Sequence, residues 1–180
     1  MRQQFVTSQW IPYPIEEVFA FFANPNNLPL LTPEPLKMRI DELKLEQAPA
    51  GPEMAGSHFA RPQIAAGVGT EMKLSFQPEP YVPVRVSWVA RITDFVWFSH
   101  FCDEQVRGPF AFFRHKHAVE TKTRQSHPGT EVTDEVEFEL PFGAIGGLGR
   151  GIVQRQMERM FRIRQERLPA ILEARMRQTS

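Results

Sequence analysis

The sequence is poor in cysteine. Cys102 is the one thiol in 180 residues, so no internal disulfide framework can form, and a reducing cytoplasm is the compartment that fits. It also lacks a charge excess of either sign. Lys and Arg number 21 and Asp and Glu number 21. That balance argues against a dedicated nucleic-acid binder, whose affinity rests on a basic surplus. Long apolar runs are missing. Residues 18–23 are typical of the longest, far short of the roughly 18 residues that a membrane span needs, so no integral membrane segment is expected. The opening MRQQFVTSQW carries no apolar signal core, which again points to a cytoplasmic location. No internal repeat is visible. Tyrosine is scarce, at 2 residues, with 3 Trp.

Phenylalanine is abundant by contrast: 15 residues, beside 16 Pro that lie mostly before residue 84. The length fits one domain, since domains usually run from about 50 to 250 residues. A chain of this size buries roughly 70% of its unfolded surface, enough for a core without disulfide or metal staples.

Residues 3–11 alternate and end at Pro12, which reads as a strand. Pro14 then stands where a helix can begin, with Glu16 and Glu17 in its first turn and Val18, Phe19, Phe21 and Phe22 as its apolar side. Asn24-Pro25 stops it. A second short helix is expected over 26–31 and a strand over 37–46. Residues 47–69, rich in Ala, Gly and Pro, read as a long surface loop. Five strands follow by period-2 patterning: 69–77, 83–93, 95–106, 110–123 and 130–140. The turn signals between them include Gly108-Pro109 and His127-Pro128-Gly129. From about 145 to 177 the period becomes helical. Val153, Met157, Met160, Phe161, Leu168, Ile171 and Leu172 form one apolar stripe. Strand, short helices, six strands and a long helix make an α+β pattern with an antiparallel sheet.

That order resembles the START-like superfamily, also called SRPBCC or Bet v 1-like, the helix-grip fold. The residues that carry the resemblance run from Ile11-Pro12 through Glu16-Glu17-Val18-Phe19 to Asn24-Pro25-Asn26-Asn27-Leu28. They continue with Ser87-Trp88, Phe101-Cys102-Asp103-Glu104-Gln105 and Gly108-Pro109-Phe110. They end with His115-Lys116-His117, Asp134, Leu140-Pro141-Phe142-Gly143 and the helix carrying Phe161 and Arg164. The chain looks like the bacterial ligand-binding branch grouped with polyketide cyclase/dehydrase proteins. The resemblance implies a curved sheet gripping the last helix around a hydrophobic cavity, and a hydrophobic small-molecule ligand. Only some branches are enzymes. The 47–69 loop looks longer than is usual for the family.

Strand alternation nominates the site. On 130–140 the apolar side carries Val132, Asp134, Val136 and Phe138, so Asp134 is assigned inward. On 110–123 the inward face is Phe113, His115, His117 and Val119. On 95–106 it is Phe101, Asp103 and Gln105, and on 83–93 it is Val84, Val86, Trp88, Ala90 and Ile92. At about 100° per residue, Arg164 falls inside the helix stripe between Met157, Met160 and Leu168. A buried guanidinium requires an acid partner or a wet cavity. The candidate site is therefore a polar cluster of Arg164, Asp134, Asp103, His115, His117 and Gln105. Its apolar surround is Trp88, Phe101, Phe110, Phe113 and Phe138. The cluster either orients a ligand's polar head or ties helix to sheet as a self-satisfied network.

His115-x-His117 also fits two imidazoles reaching one ion, with Asp103 or Asp134 adding an oxygen. Paired inward histidines are more often hydrogen-bonded cavity liners, so no metal and no cofactor is assigned. A His–Asp pair beside an enolisable carbonyl would suit proton transfer, the enzyme alternative. A third alternative is a protein-interaction or co-chaperone module with a collapsed core in place of the cavity. Cys102 reads as an inert, half-buried thiol. The glycines of 143–151 lack a phosphate-loop ending and read as a strand-to-helix passage. Residues 150–180 carry eight Arg and three Glu. Arg155, Arg159 and Arg162 lie opposite the stripe and read as a solvated face.

Overall fold

The computed structural model describes residues 2–51, 64–77, 84–141 and 150–179. Seven strands form one antiparallel sheet: β1 (Gln3–Ile11), β2 (Arg39–Lys44), β3 (Glu71–Phe76), β4 (Val86–Val96), β5 (His100–Arg107), β6 (Phe112–Arg124) and β7 (His127–Glu139). Their order across the sheet is β1-β7-β6-β5-β4-β3-β2. Every pairing but the closing one joins neighbours in sequence, and β1 returns to pair with the last strand. Between β1 and β2 lie α1 (Ile15–Ala23), a 3₁₀ turn (Pro25–Asn27) and α2 (Leu28–Leu31). The long C-terminal helix, α3, spans Arg150–Thr179. This is the helix-grip architecture: a curved antiparallel sheet, two short N-terminal helices and one long C-terminal helix.

The start of α1 and that of the turn after it follow from local chemistry. Pro14 precedes α1, where its fixed φ is already helical and its missing N–H costs nothing. Asn24 ends α1 and its side chain accepts from Asn26 N–H, which starts the 3₁₀ turn. The α3 stripe is buried at Met157, Phe161, Arg164, Leu168 and Leu172, a spacing of three and four residues that presents one face to the sheet. Gln165 fixes this face to β1, donating from Nε2 to Thr7 Oγ1 at 3.0 Å while its carbonyl accepts from Gln9. Arg167 donates to Thr32 O at 2.8 Å, joining α3 to the end of α2.

Two hairpins depart from the sequence reading. His127-Pro128-Gly129 is not a turn but the start of β7. The β6–β7 connection is the two-residue loop Gln125-Ser126, with φ of 48° and 64°, the left-handed pair that a tight hairpin requires. Gly129 is a strand glycine for a packing reason. A Cβ there would lie 2.5 Å from Ile11 O and 2.6 Å from the Trp10 ring. The β4–β5 turn is likewise at Trp97-Phe98-Ser99 and not near residue 94, with Phe98 at φ 56°. That conformation is costly for a bulky residue. Here aromatic packing imposes it: the Phe98 ring lies 5.8 Å from Phe19 and 5.6 Å from Trp97. Val84, expected inward, is exposed because β4 begins two residues later.

The apolar interior falls into two clusters. The larger gathers α1, β3, β4 and the far end of α3 around Phe19, Phe21, Phe101, Val132, Leu168 and Leu172. The smaller comprises Val136, Phe138, Met157 and Phe161. Asp134 separates them on β7, between Val132 and Val136. Arg164 separates them on α3, between Phe161 and Leu168. The sequence breaks its apolar pattern once on each element, and the two breaks meet. The ends of the 47–69 loop are also tied down. Ala48 N–H donates to Ala65 O at 2.9 Å and Ala66 N–H to Ala23 O at 2.8 Å. Most of that loop, and the glycines of 143–149 with Phe142, lie outside the described residues.

Candidate functional site

The polar cluster is assembled by strand register. On β5 and β6, Asp103 stands opposite His115, and Phe101 opposite His117. On β6 and β7, His117 stands opposite Asp134. His115 and His117 are two apart on one strand, so both project to the same side, and Asp103 and Asp134 flank them from the neighbouring strands. Arg164 closes the group from α3. The hairpin at Gln125-Ser126 sets this arrangement. A longer turn joining Thr123 to Thr130 would have paired Asp134 with Val119 and dispersed the cluster.

All these side chains are withdrawn from solvent, with Arg164 only 9% and Asp134 only 4% exposed. Asp134 Oδ1 accepts from His115 Nε2 at 3.1 Å and lies 2.7 Å from His117 Nδ1. Arg164 Nη1 is 3.9 Å from the same oxygen, and Nη2 is 3.4 Å from His117 Nδ1. The guanidinium also sits 5.0 Å from the centre of the Phe22 ring and 5.6 Å from that of Phe161. Arg164 Nε is buried with no hydrogen-bond partner among the described residues. On the other side of the histidines, Asp103 Oδ2 is 3.8 Å from both His115 Nδ1 and His117 Nε2.

Protonation follows from these contacts. Burial pushes Asp134 up, but Arg164, His117 and the hydrogen bonds from both histidines outweigh it and hold the carboxyl well below its ordinary range. Burial, reinforced by His115, lowers His117 to about 3. His117 is therefore neutral at pH 7 with one ring proton. Two lone pairs do not approach to 2.7 Å, so that proton is assigned to Nδ1, facing Asp134. Asp103 is raised by burial, with His115 and Arg164 only partly offsetting it. Cys102 is fully buried, a correction to the half-buried thiol expected, and burial likewise raises its pKa.

A cavity of about 210 Å³ opens beside the cluster. Trp88, Phe101, Phe113, Asp103, His115 and His117 line it from the sheet, and Arg164 from α3. Asp134 lies behind the histidines, outside the wall. Gln105, Phe110 and Phe138 are not lining residues. Gln105 turns its amide to the β5–β6 hairpin, donating from Nε2 to Phe110 O at 2.8 Å and accepting from Phe110 N–H at 3.3 Å. The turn there has polar backbone groups to satisfy, and Gln105 is the side chain in reach. Phe110 and Phe138 pack on each other at 5.8 Å beside the smaller apolar cluster. Much of the opposite wall is instead Phe22, Asn27, Leu28 and Leu31 of the N-terminal helices, with Met160 from α3. The signal for this was present in α1, whose apolar residues Val18, Phe19, Phe21 and Phe22 exceed what one core-facing stripe needs.

Solved structures share this architecture. TTHA0849 from Thermus thermophilus superposes with a TM-score of 0.62 at 17% identity, over 96% of this chain and 98% of that one. CV1439 from Chromobacterium violaceum gives 0.63 at 14% identity, over 94% and 96%. Ara h 8.0201 gives 0.54 at 13%, over 92% and 97%. At these identities the likeness is one of fold. No curated protein matches the chain. No helix among the described residues is long and apolar enough to cross a membrane. A family model does match, over residues 11–164, and its span takes in both histidines, both carboxylates and Arg164 at its very end. A general ligand-binding role follows from that family, and the chain belongs to it: the polyketide cyclase / dehydrase and lipid transport family.

Proposed function

We propose that the chain binds a compact hydrophobic molecule with one hydrogen-bond-accepting end. The body of the ligand lies against Trp88, Phe113 and Phe22, and its polar end meets Arg164. The observation that carries this reading is Arg164, which lines a largely apolar cavity and keeps a buried Nε without a partner among the described residues. A buried guanidinium with a donor left unpaired is costly, and a ligand oxygen at the part of Arg164 that faces the cavity offsets that cost. The size of the cavity, about 210 Å³, narrows the ligand. An apolar cavity of roughly 150 Å³ already accepts benzene, while sites for larger ligands run to about 300–1,000 Å³. One or two rings fit better than a long acyl chain.

Two observations favour binding over the alternatives. A histidine held at about 3 is a weak base at neutral pH, so His117 is poorly matched to proton abstraction. A collapsed interaction module would have its core filled, whereas this core keeps a cavity. The test is native mass spectrometry of the protein as purified, alongside the Ala90→Phe variant. Ala90 is buried at the cavity wall, so a phenyl ring there fills the space. A co-purifying aromatic or lipophilic mass that Ala90→Phe loses supports the reading. No bound small molecule, together with no uptake of an added two-ring aromatic acid, overturns it.

A further inference from the structure

The side of the cluster away from Asp134 poses a separate problem. Asp134 takes the ring protons of both histidines, His115 at Nε2 and His117 at Nδ1. The opposite nitrogens, His115 Nδ1 and His117 Nε2, point away from Asp134, and both face Asp103 Oδ2 at 3.8 Å. Neither separation is a hydrogen bond. Three atoms able to ligate thus converge with no hydrogen bond joining them, at the wall of the cavity. Such an arrangement calls for a cation at its centre.

From this convergence we infer that Asp103, His115 and His117 form a binding site for one divalent transition-metal ion of the zinc type, with an open coordination position toward the cavity. The ligand atoms of the three residues lie within 4.8 Å of one another. Around a tetrahedral zinc, with bonds of about 2.0–2.1 Å, neighbouring ligand atoms stand about 3.3 Å apart. The two separations from Asp103 close by about half an ångström, and that between the histidines, no more than 4.8 Å, by at most about 1.5 Å, through χ rotations. Two imidazoles and a carboxylate are the donor set of sites that keep a position free.

The outer shell is already built. A metal-bound imidazole typically gives its second N–H to a carboxylate, which fixes the tautomer and aims the ring. Asp134 does this for both histidines at once. The charge also fits: two carboxylates against one guanidinium leave the cluster negative once Asp103 ionises, which a dication reverses. Asp103, His115 and His117 all line the cavity, so the free position faces any ligand bound there. The site does not depend on which apolar molecule occupies the cavity.

The test uses the full chain, stripped with a chelator and titrated with Co²⁺ and Zn²⁺ alone, without organic ligand. Wild-type protein is expected to bind one Co²⁺ per chain with the intense visible absorption of four- or five-coordinate cobalt, and Zn²⁺ is expected to raise its melting temperature. Asp103→Asn, chosen because it keeps the shape of the side chain and removes its charge, is expected to weaken binding at least about a hundredfold, beyond the 10–100-fold typical of an outer-shell loss. His117→Gln is expected to do the same. His100→Gln controls for the surface pair of His100 and Asp94, 3.0 Å apart, and is expected to bind as wild type. Circular dichroism reports that each variant is folded. No saturable binding by wild type overturns the inference, as does binding that survives both Asp103→Asn and His117→Gln. Neither result touches the proposed organic ligand, whose titration is run on chelated protein.

Discussion

His117 and Asp134 face each other across the β6–β7 ladder, with Nδ1 of the one 2.7 Å from Oδ1 of the other. This pair holds Arg164 in an otherwise apolar interior and gives helix α3 a fixed place on the sheet. It is also where the two apolar clusters part.

Asp134→Ala is expected to be strongly destabilising. It removes the carboxylate that pairs with Arg164 and holds both histidines, leaving a buried guanidinium without its ion-pair partner. Breaking one side of a buried ion pair costs roughly 3–5 kcal/mol. Urea denaturation should show a correspondingly lowered midpoint with an unchanged slope.

Asp103→Asn is expected to do the reverse in chelated protein. Burial raises the Asp103 carboxyl, so its charged form destabilises the fold at neutral pH. An amide carries no such charge. For a chain of this size, about 1 kcal/mol corresponds to roughly 2–4 °C, and a gain of that order is expected at pH 7. The gain should vanish below pH 3.8, the ordinary carboxylate value, where wild-type Asp103 is protonated in both states.

The pH dependence of the Asp103→Asn protein isolates His117. In the fold His117 sits at about 3 against an ordinary value of 6.5, so below pH 6.5 the unfolded chain takes up a proton that the folded chain refuses. Stability must then fall as pH drops from 6.5 toward 3, by up to about 1.4 kcal/mol per pH unit. Below about pH 3.8 Asp134, whose folded pKa is depressed, adds to the loss. Thermal melts in chelator, from neutral pH down to roughly pH 4, check the slope, and His117→Gln should flatten it.

Gly129→Ala tests the corrected hairpin. If residue 129 lay in an exposed turn, a methyl group would be tolerated. In β7 it meets Ile11 O and the Trp10 ring, so a loss of about 1–3 kcal/mol is expected from overpacking.

Much of this site is legible in the sequence, because alternation on a half-buried strand fixes the side of every residue. Asp134 among valines on β7, the His pair on β6 and Arg164 within the α3 stripe all follow from strand and helix periods of about 2 and 3.6. Register does not follow from period. It depends on turns, and the two turns that matter carry no conventional signal. Gln125-Ser126 lacks glycine, and Trp97-Phe98-Ser99 looks like strand or core. Gly129 misleads for the opposite reason, since its lack of a side chain serves Trp10 and not a turn. Gln105 lies on the right strand but is recruited by the adjacent hairpin, a local backbone demand that alternation cannot express. The surplus of apolar residues on α1 hints that the helix contributes to the cavity wall, but where α1 and α2 dock is set by tertiary packing that no local pattern expresses.

The central claim is that a largely apolar cavity ends on the Arg164 guanidinium, which the fold leaves incompletely paired. Its most direct test is isothermal titration of chelated wild-type protein with 2-naphthoic acid and with 2-naphthamide, which share one shape and differ in charge. Saturable binding is predicted for both, with the acid tighter by at least about tenfold, as a hydrogen bond to a charged group is worth about 1.5–3 kcal/mol. Equal affinity for acid and amide, or no binding of either, would contradict it.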